Sequence, residues 1–462
     1  GYYEVGIYEN IAYFDLFFRR IPDHGGFAIM AGLEQVIEYL NGLVFTQEDI
    51  DFLRRKGGMS EEFLHYLETF HFSCDVWAVP EGVPIFPGEP IITVRGPLLQ
   101  AQFIETMLLT LINHQSLIAT KANRIVRAAE GRPVMEFGTR RAHGMSAALL
   151  GSRAAYIGGC AGTACTASEK IYNIPALGTM AHSWVQVFPS EYDAFCKYAE
   201  LYPDNCTLLI DTYNVLKSGL PNAIRVFKEM NVQRMGVRID SGDIAYLTKC
   251  CRERLDAEGL TECKIVVSNS LDEWLIRDVI LQGAQIDSFG VGERLITASS
   301  EPVFGGVYKL SGIEEDGEIV PKMKISENVG KITNPGFKNL YRLFDKTSGR
   351  VVADVVTLND EIAPEGDEYI IFDPSFTWKR KKLSNFYAVA LRKQIFEKGK
   401  CVYKLPTLDE IRDTCREHVA TLWDELLRFE NPQSYYVDLS DNLWRLRTGL
   451  IEEYQYRLGG IK

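Results

Sequence analysis

The stretch that decides the fold is Met235-Gly-Val-Arg-Ile-Asp-Ser-Gly-Asp243, a mostly apolar run that leads into a polar turn. The run predicts a strand over residues 235–239, and the pattern of residues 244–255 predicts the helix that follows. Strands that are apolar at nearly every position are typical of a parallel sheet covered by helices on both faces. The stretch therefore indicates a βα unit with its polar turn at the carboxyl end of a buried strand.

Comparable units recur through the middle of the chain. The predicted strands begin 20 to 40 residues apart, at 134–137, 174–177, 207–210, 235–239, 264–267, 286–291 and 306–310. About seven such units favour a closed, barrel-like arrangement over an open sheet, and the spacing alone leaves both open. We therefore predict an α/β fold with a barrel-like core.

The regions on either side of these units have a different pattern of predicted strands and helices. Before them, short strands alternate with helices, and Thr46-Gln-Glu-Asp49 has the form of a capping box at a helix start. After them, short strands and turns lead to a final predicted helix over residues 443–458. The predicted domains are an N-terminal α+β domain at 1–110, an α/β barrel catalytic domain at 111–330 and a C-terminal extension at 331–462.

The composition restricts the class of ligand. The 462 residues carry a net charge of −12 and are 46% hydrophobic, which argues against a broad nucleic-acid or anionic-membrane surface. No apolar run reaches the roughly 18 residues of a membrane span, and no signal-peptide pattern is present. The ten cysteines form no CxxC pair, so they indicate neither a zinc site nor a disulfide framework. We expect a cytoplasmic protein with reduced thiols that acts on small molecules.

Polar residues and glycines follow most of the predicted strands. In an α/β barrel the loops after the strands open at one face, and that face carries the chemistry. The candidate residues are Arg140, Arg141, Thr179, His182, Arg238, Asp240, Ser241, Gly242, Asp243, Ser268, Asn269, Gly290, Gly292, Glu293, Gly305 and Gly306. Because a barrel has no structural need for polar junctions at one edge, the series predicts a site.

The residue types at these junctions suit a phosphorylated sugar. Arginines such as Arg140 and Arg238 pair with phosphate or carboxylate groups, bidentately where the geometry permits. Asp240 and Asp243 can accept hydrogen bonds from ribose hydroxyls or hold Mg²⁺, which prefers oxygen ligands. Small residues that precede helices, such as Ser268, leave backbone N–H groups open to anions.

Each residue also has a structural interpretation. A histidine among apolar residues, such as His182, is often a hydrogen-bonded core residue, and Arg238 with Asp240 can form an internal ion pair. Asp243, like Asp272, can simply cap a helix. Glu136, on an apolar strand, can be a buried charge satisfied by Arg140.

Four ordered motifs resemble one known family. They are Glu136-Phe-Gly-Thr-Arg-Arg-Ala142, Gly178-Thr-Met-Ala-His-Ser183, Gly236-Val-Arg-Ile-Asp-Ser-Gly-Asp243 and Gly305-Gly-Val-Tyr-Lys309. Together they resemble the nicotinate phosphoribosyltransferases. The resemblance extends over nearly the whole chain, from Phe14-Asp-Leu-Phe-Phe-Arg19 to Tyr403-Lys-Leu-Pro-Thr-Leu-Asp-Glu410.

The resemblance implies a type II phosphoribosyltransferase. That fold has an N-terminal α+β domain, an irregular α/β barrel and a C-terminal extension, and it usually forms a homodimer. The implied reaction joins nicotinate to phosphoribosyl pyrophosphate, giving nicotinate mononucleotide and pyrophosphate, with coupled hydrolysis of ATP. This ligase-type step brings nicotinic acid into NAD salvage.

The resemblance also implies roles for individual residues. The histidine that ATP phosphorylates in the family corresponds to His182, and Thr179 and Arg238 match positions that contact nicotinate. Arg140, Asp240 and the loop 290–293 match the phosphoribosyl side, and we assign the other candidates to substrate binding. Mg²⁺ is the expected cofactor, with Asp243 as its candidate ligand. Asp211 and Glu169 are alternative carboxylates for orienting His182.

The sequence departs from the family pattern at two points. The family's Thr-Asp-x-Tyr-Gln pattern, whose tyrosine stacks on the pyridine ring, has no counterpart because the sequence starts after that point, at Gly1. Many relatives have threonine at the position of Glu293, so this carboxylate is expected to face a metal or turn away from phosphate. The rival hypotheses are a nicotinamide-using phosphoribosyltransferase and a non-catalytic sensor on the same fold.

Overall fold

The computed structural model describes residues 1–326, 329–366, 368–373 and 376–457, and the chain divides into two compact units. One unit is Leu117–Pro302, and the other joins Gly1–Ser116 with Val303–Lys462. Both ends of the chain therefore belong to the same unit. Within the described ranges, no helix is both long and apolar enough to cross a membrane.

The unit Leu117–Pro302, all of whose residues are described, contains a parallel sheet. Its strands are Val134–Glu136 (β1), Gly162–Thr163 (β2), Cys206–Leu209 (β3), Met235–Ile239 (β4), Lys264–Ser268 (β5) and Ser288–Val291 (β6). They lie in the order β2-β1-β6-β5-β4-β3, and every neighbouring pair is parallel. The sheet curls into a half barrel, which confirms the predicted irregular α/β barrel fold.

Helices follow the strands of this unit. They are Met145–Ile157 (α1), Thr166–Tyr172 (α2), His182–Gln186 (α3), Glu191–Leu201 (α4), Leu220–Glu229 (α5), Ile244–Ala257 (α6), Glu273–Leu281 (α7) and Glu293–Ile296 (α8). Central strand residues such as Val237, Ile265 and Phe289 are fully buried, as expected for a sheet covered on both faces. Since the strands are parallel, their carboxyl ends meet at one edge of the sheet.

Two of the predicted strands do not belong to this sheet. Residues 174–177 make only a single bridge, between Ala176 and Thr163, because Pro175 has no N–H to donate to a ladder. The short strand Gly162–Thr163, which the sequence analysis missed, forms the edge of the sheet beside β1 instead. The prediction for residues 306–310 was also wrong, since Gly306–Glu315 is an antiparallel strand of the other unit.

The other unit is built around sheets whose strands pair antiparallel, apart from the parallel pair Val351–Leu358 and Val437–Leu439. The larger sheet contains, in order, Glu318–Pro321, Gly306–Glu315, Ile11–Phe18, Ile92–Pro97, Asp75–Ala78, Lys393–Glu397 and Lys400–Cys401. The next contains Phe386–Ala390, Lys338–Asp345, Val351–Leu358 and Val437–Leu439, and two-stranded ladders pair Ala28–Ile29 with Pro84–Ile85 and Tyr369–Phe372 with Arg380–Leu383. The helices assigned wholly to this unit are Leu33–Asn41, Gln47–Lys56, Glu61–Glu68, Leu98–Phe103, Leu408–Ala420 and Asp441–Arg457. The helix Glu105–Ala128 contains the boundary between the units.

Two helices of this unit agree with predictions made from local sequence signals. Thr46 and Asp49 form the predicted capping box at the start of Gln47–Lys56. The predicted helix over 443–458 is present as Asp441–Arg457, and residue 458 lies outside the described residues.

A fully buried ion pair lies in this unit. Arg342 donates from Nη2 to Asp354 Oδ2 at 2.7 Å, and both side chains are 0% exposed. Tyr435 donates its hydroxyl to Asp354 Oδ1 at 2.8 Å, and Arg342 also donates to the carbonyl oxygen of Pro84 at 2.8 Å. Because a buried charge without a partner is strongly destabilising, neither member can be removed alone without a large loss of stability.

Replacing Asp354 by alanine is therefore expected to lower the free energy of unfolding by about 3–5 kcal/mol, since the Arg342 guanidinium would remain buried without its counter-ion. Urea denaturation of the full chain measures the change. Asp424→Ala is the matched control, because Asp424 pairs with Arg350 on an exposed surface of the same unit. Equal losses of stability in the two variants would contradict the prediction.

Candidate active site

His182 and Asp211 form the first pair of the site. His182 opens α3, and Asp211 lies two residues after β3. The imidazole Nε2 is 3.1 Å from Asp211 Oδ1, and the histidine side chain is 41% exposed whereas Asp211 is 2% exposed. Of the two alternative carboxylates, Asp211 is thus the one that orients the ring. Glu169 instead accepts a hydrogen bond from the backbone N–H of Ala176 at 3.3 Å.

Asp211 is itself held by the turn after the neighbouring strand β4. Its Oδ2 accepts from the backbone N–H of Asp240 at 3.0 Å and from the Ser241 hydroxyl at 2.6 Å. Asp211 therefore binds His182 with one carboxylate oxygen and the turn after β4 with the other. Ser241 is a support of Asp211 rather than part of the cavity wall.

Arg238, on β4, has its guanidinium fixed by three neighbours. Nε donates to Ser268 Oγ at 2.9 Å, Nη1 to Thr179 Oγ1 at 2.9 Å and Nη2 to Asp240 Oδ1 at 3.0 Å. Ser268 also donates to Asp240 Oδ1. The predicted internal ion pair of Arg238 with Asp240 is present, and it holds the guanidinium in place within the site.

One cavity of about 530 Å³ at the carboxyl edge of the sheet is lined by several of these groups but not by Asp211 or Ser241. The predicted residues on its wall are Arg140, Arg141, Thr179, His182, Arg238, Asp240, Ser268, Asn269, Gly290, Gly292 and Glu293. The imidazole, the guanidinium and the Asp240 carboxylate thus meet in a single space, as the sequence analysis predicted.

The remaining candidates are placed differently. Asp243 caps α6 by accepting from the backbone N–H of Tyr246 at 2.9 Å, which is the structural role considered for it. Gly242 adopts a φ of +86° in the turn before it. Gly305 and Gly306 belong to the other unit, where Gly306 begins a strand and leaves room for the side chain of Asn113.

Phe137 is a wall residue that the sequence analysis missed. Its ring lies beneath Arg238, whose Cζ is 5.4 Å from the ring centroid. A Cβ at Gly290 would be only 2.5 Å from Phe137 Cδ2, so this glycine makes room for the ring. The signal that could have identified Phe137 is its position directly after β1, in the same motif as Arg140.

Glu136, at the end of β1, is fully buried and holds the loop that follows. It accepts hydrogen bonds from the backbone N–H of Gly138, from Thr163 Oγ1 at 2.6 Å and from Ser152 Oγ at 3.2 Å. The alternative in which Arg140 satisfies this charge is therefore wrong, because neutral donors do so. Burial raises the pKa of the Glu136 carboxyl, and these three hydrogen bonds act in the opposite direction.

Glu293 points toward a basic neighbour. Its Oε2 is 3.5 Å from Arg141 Nε, and both side chains are more than half exposed. Over the ranges that the structure describes, no group of three or more His, Cys, Asp or Glu side chains is placed to hold a metal ion. The protein alone therefore offers no metal cage at this site.

The backbone after β5 is strained at the cavity wall. Asn269 has a φ of +104° and Ser270 a φ of +27°, in the left-handed region that residues with a side chain rarely adopt. Such conformations cost on the order of 1–3 kcal/mol each and persist only where the surroundings impose them.

Three family models match the chain in order. The nicotinate phosphoribosyltransferase N-terminal domain matches residues 1–113, the nicotinate phosphoribosyltransferase family model 133–346 and the C-terminal domain 337–447. The chain belongs to the nicotinate phosphoribosyltransferase family. Four of the motifs discussed above fall within the central match.

Individual relatives agree with this assignment. The chain is 44% identical over 459 residues to nicotinate phosphoribosyltransferase of Bacillus subtilis (strain 168), covering 99% of this chain and 94% of that protein. It is 38% identical over 438 residues to nicotinate phosphoribosyltransferase pncB2 of Mycobacterium tuberculosis, covering 94% and 88%.

Two solved structures have a fold similar to that of this chain. Human nicotinic acid phosphoribosyltransferase matches with a TM-score of 0.86 and 29% identity, covering 98% of this chain and 97% of that one. A nicotinate-nucleotide pyrophosphorylase from Pyrococcus furiosus has a TM-score of 0.69 at 24% identity, covering 91% and 92%, a likeness of fold alone.

We expect Gly290→Ala to lower the free energy of unfolding by about 1–3 kcal/mol, because the new methyl group would displace the Phe137 ring. Thermal unfolding followed by circular dichroism measures this effect. Gly449→Ala is the control, since its Cβ would meet no atom within 4 Å on the helix Asp441–Arg457. An unchanged unfolding temperature for Gly290→Ala would show that the ring does not need this space.

Proposed function

We propose that the chain joins nicotinate to phosphoribosyl pyrophosphate, forming nicotinate mononucleotide and pyrophosphate, and that ATP hydrolysis drives the step through phosphorylation of His182. The observation that supports this most directly is the single cavity shared by His182, Arg238 and Asp240. Such a step would bring nicotinic acid into NAD synthesis. We also propose a cytoplasmic homodimer, by analogy with the family.

The cavity suits a carboxylated pyridine. A guanidinium has five N–H donors, and the three bonds to Ser268, Thr179 and Asp240 leave two for a ligand carboxylate. The Phe137 ring beside Arg238 offers an apolar face for an aromatic ring. Arg238 therefore selects the charge of nicotinate, and Phe137 supports its ring.

A nicotinamide substrate is less well matched. Its amide N–H₂ needs an acceptor, and the acidic side chains on the cavity wall are Asp240 and Glu293. Asp240 is bonded to Arg238, and Glu293 lies beside Arg141. These contacts favour the acid over the amide.

Other residues of the cavity wall suit the sugar phosphate. Arg140 and Arg141 supply positive charge, and residues 268–270 and 290–293 provide small side chains where phosphate groups can approach the backbone. A Mg²⁺ ion held mainly by the pyrophosphate and water, with Asp240 as its protein carboxylate, fits this donor set better than a protein cage. Bound there, the ion would offset charge on the departing pyrophosphate.

The pairing of His182 with Asp211 defines how the imidazole would react. With the proton on Nε2 donated to Asp211 Oδ1, the lone pair lies on Nδ1. Attack by Nδ1 on the γ-phosphorus of ATP forms the N–P bond, breaks the bond to the bridging oxygen and releases ADP. Water later cleaves the N–P bond and returns phosphate. Asp211 stabilises the ring while it carries positive charge.

The phosphohistidine proposal is tested by incubating the purified protein with γ-labelled ATP. Label should appear on the wild-type protein and be absent from His182→Ala, while His65→Ala should label normally because His65 lies exposed on a helix of the other unit. Asp211→Asn should reduce the rate of labelling by about 10⁴-fold, as expected when an imidazole loses its orienting carboxylate. Unchanged labelling of His182→Ala would remove this histidine from the mechanism.

Substrate choice is tested by competing nicotinate with nicotinamide in one assay for mononucleotide. We expect the wild type to prefer nicotinate, and Arg238→Gln to raise the KM for nicotinate by about 100-fold through loss of a charge-assisted contact. The KM for nicotinamide should change far less. A wild-type preference for the amide would overturn the role of Arg238, and absence of either product would favour the non-catalytic sensor.

A further inference from the structure

Two loops on the cavity wall are joined by an ion pair that the proposed chemistry does not use. We call residues 268–272, from the last residue of β5 to the residue before α7, the serine loop, and residues 290–294, from the end of β6 into the start of α8, the glycine loop. Asp272 ends the first and Arg294 ends the second, and Arg294 Nη1 donates to Asp272 Oδ2. Neither side chain lines the cavity itself, so the pair acts behind the wall.

Asp272 has a second bond that ties the serine loop to α7. Its Oδ1 accepts from the backbone N–H of Leu275 at 2.8 Å and caps the helix. The side chain is 13% exposed, against 44% for Arg294. One carboxylate therefore fixes the start of α7 with one oxygen and the glycine loop with the other.

The next residue anchors the same helix more deeply. Glu273 is 0% exposed and lies 2.9 Å from Lys121 Nζ and 3.1 Å from Arg124 Nε, both on the helix Glu105–Ala128. The start of α7 is thus immobilised, and Asp272 transmits that fixed position to Arg294.

The serine loop needs such an anchor because of its backbone. Asn269 and Ser270 both have positive φ and both lie on the cavity wall. Leu271, which follows them, is 1% exposed. Strained residues keep their conformation only where neighbouring contacts hold both ends of the segment. Ser268 is held at one end by Arg238, and Asp272 is held at the other by Arg294.

We propose that Asp272, through Arg294, is a positioning residue that sets the separation of the serine and glycine loops for the sugar pyrophosphate. The inference rests on the proposed function, in which these loops receive the phosphoribosyl group. Arg238 and Phe137 contact the first residues of the two loops, Ser268 and Gly290, whereas Asp272 and Arg294 lie at the far ends of those loops. Loss of the pair therefore weakens one co-substrate selectively.

The test compares Asp272→Asn, Arg294→Gln and the double variant in the full chain. Asparagine keeps an amide oxygen that can cap α7 but removes the charge that binds Arg294. The control is Arg225→Gln, which breaks an exposed ion pair with Glu229 at 2.9 Å in the same unit. KM for each co-substrate, kcat and thermal unfolding are measured, together with calorimetric binding of phosphoribosyl pyrophosphate.

Each single variant is expected to raise the KM for phosphoribosyl pyrophosphate about tenfold, since small displacements of positioning groups have effects of this size or larger. The KM for nicotinate should change less than about twofold, and the double variant should resemble the single ones because both remove the same contact. Arg225→Gln should match the wild type.

Equal increases in both KM values, additive effects or kinetics like those of the wild type would each overturn the positioning role. If the wild type forms no nicotinate mononucleotide yet binds phosphoribosyl pyrophosphate, the proposed function fails. Calorimetry then still decides the inference. Phosphoribosyl pyrophosphate should bind more weakly to Asp272→Asn, to Arg294→Gln and to the double variant, but not to Arg225→Gln. A wild type that does not bind this ligand would overturn both.

Discussion

The carboxylate of Asp211 is the contact on which the arrangement of the site depends. It is nearly inaccessible to solvent, and its two oxygens serve different loops, one holding His182 and the other the turn at Asp240 and Ser241. That turn positions the Asp240 carboxylate, which accepts a hydrogen bond from Arg238. The His182 imidazole and, through Asp240, the Arg238 guanidinium are therefore both oriented by one buried carboxylate.

Close packing around the Phe137 ring and the neighbouring glycines is just as restrictive. The position of the Phe137 ring requires a residue without a Cβ at Gly290, and a Cβ at Gly138 would lie 2.6 Å from the carbonyl oxygen of Gly292. The glycines of these loops thus make room for close backbone and ring contacts. Glu136 holds the base of the same loop through neutral donors, which leaves Arg140 at the cavity wall.

Much of this could be predicted from the sequence because the signals are local. The apolar run before Asp240 specifies a buried parallel strand, and the position of Arg238 near the end of that run places it at the carboxyl edge of the sheet. His182 lies at the same edge, although the strand predicted before it, at 174–177, makes only a single bridge. What could not be predicted depends on contacts distant in sequence. Residues 306–310 have the same pattern as a parallel strand but pair antiparallel with Ile11–Phe18. The choice between Asp211 and Glu169 was likewise decided only by the fold.

The division of the chain also has a consequence for how the protein is made. The strand Ile11–Phe18 lies between Ile92–Pro97 and Gly306–Glu315, and the second neighbour is synthesised roughly 290 residues after the first strand. At a ribosomal rate of about 5–20 residues per second, that partner arrives on the order of tens of seconds later. The parallel half barrel, encoded in between, can fold co-translationally while the strand still has an unpaired edge. A nascent chain of this topology exposes that edge to aggregation and to chaperones until the strand Gly306–Glu315 has left the ribosome.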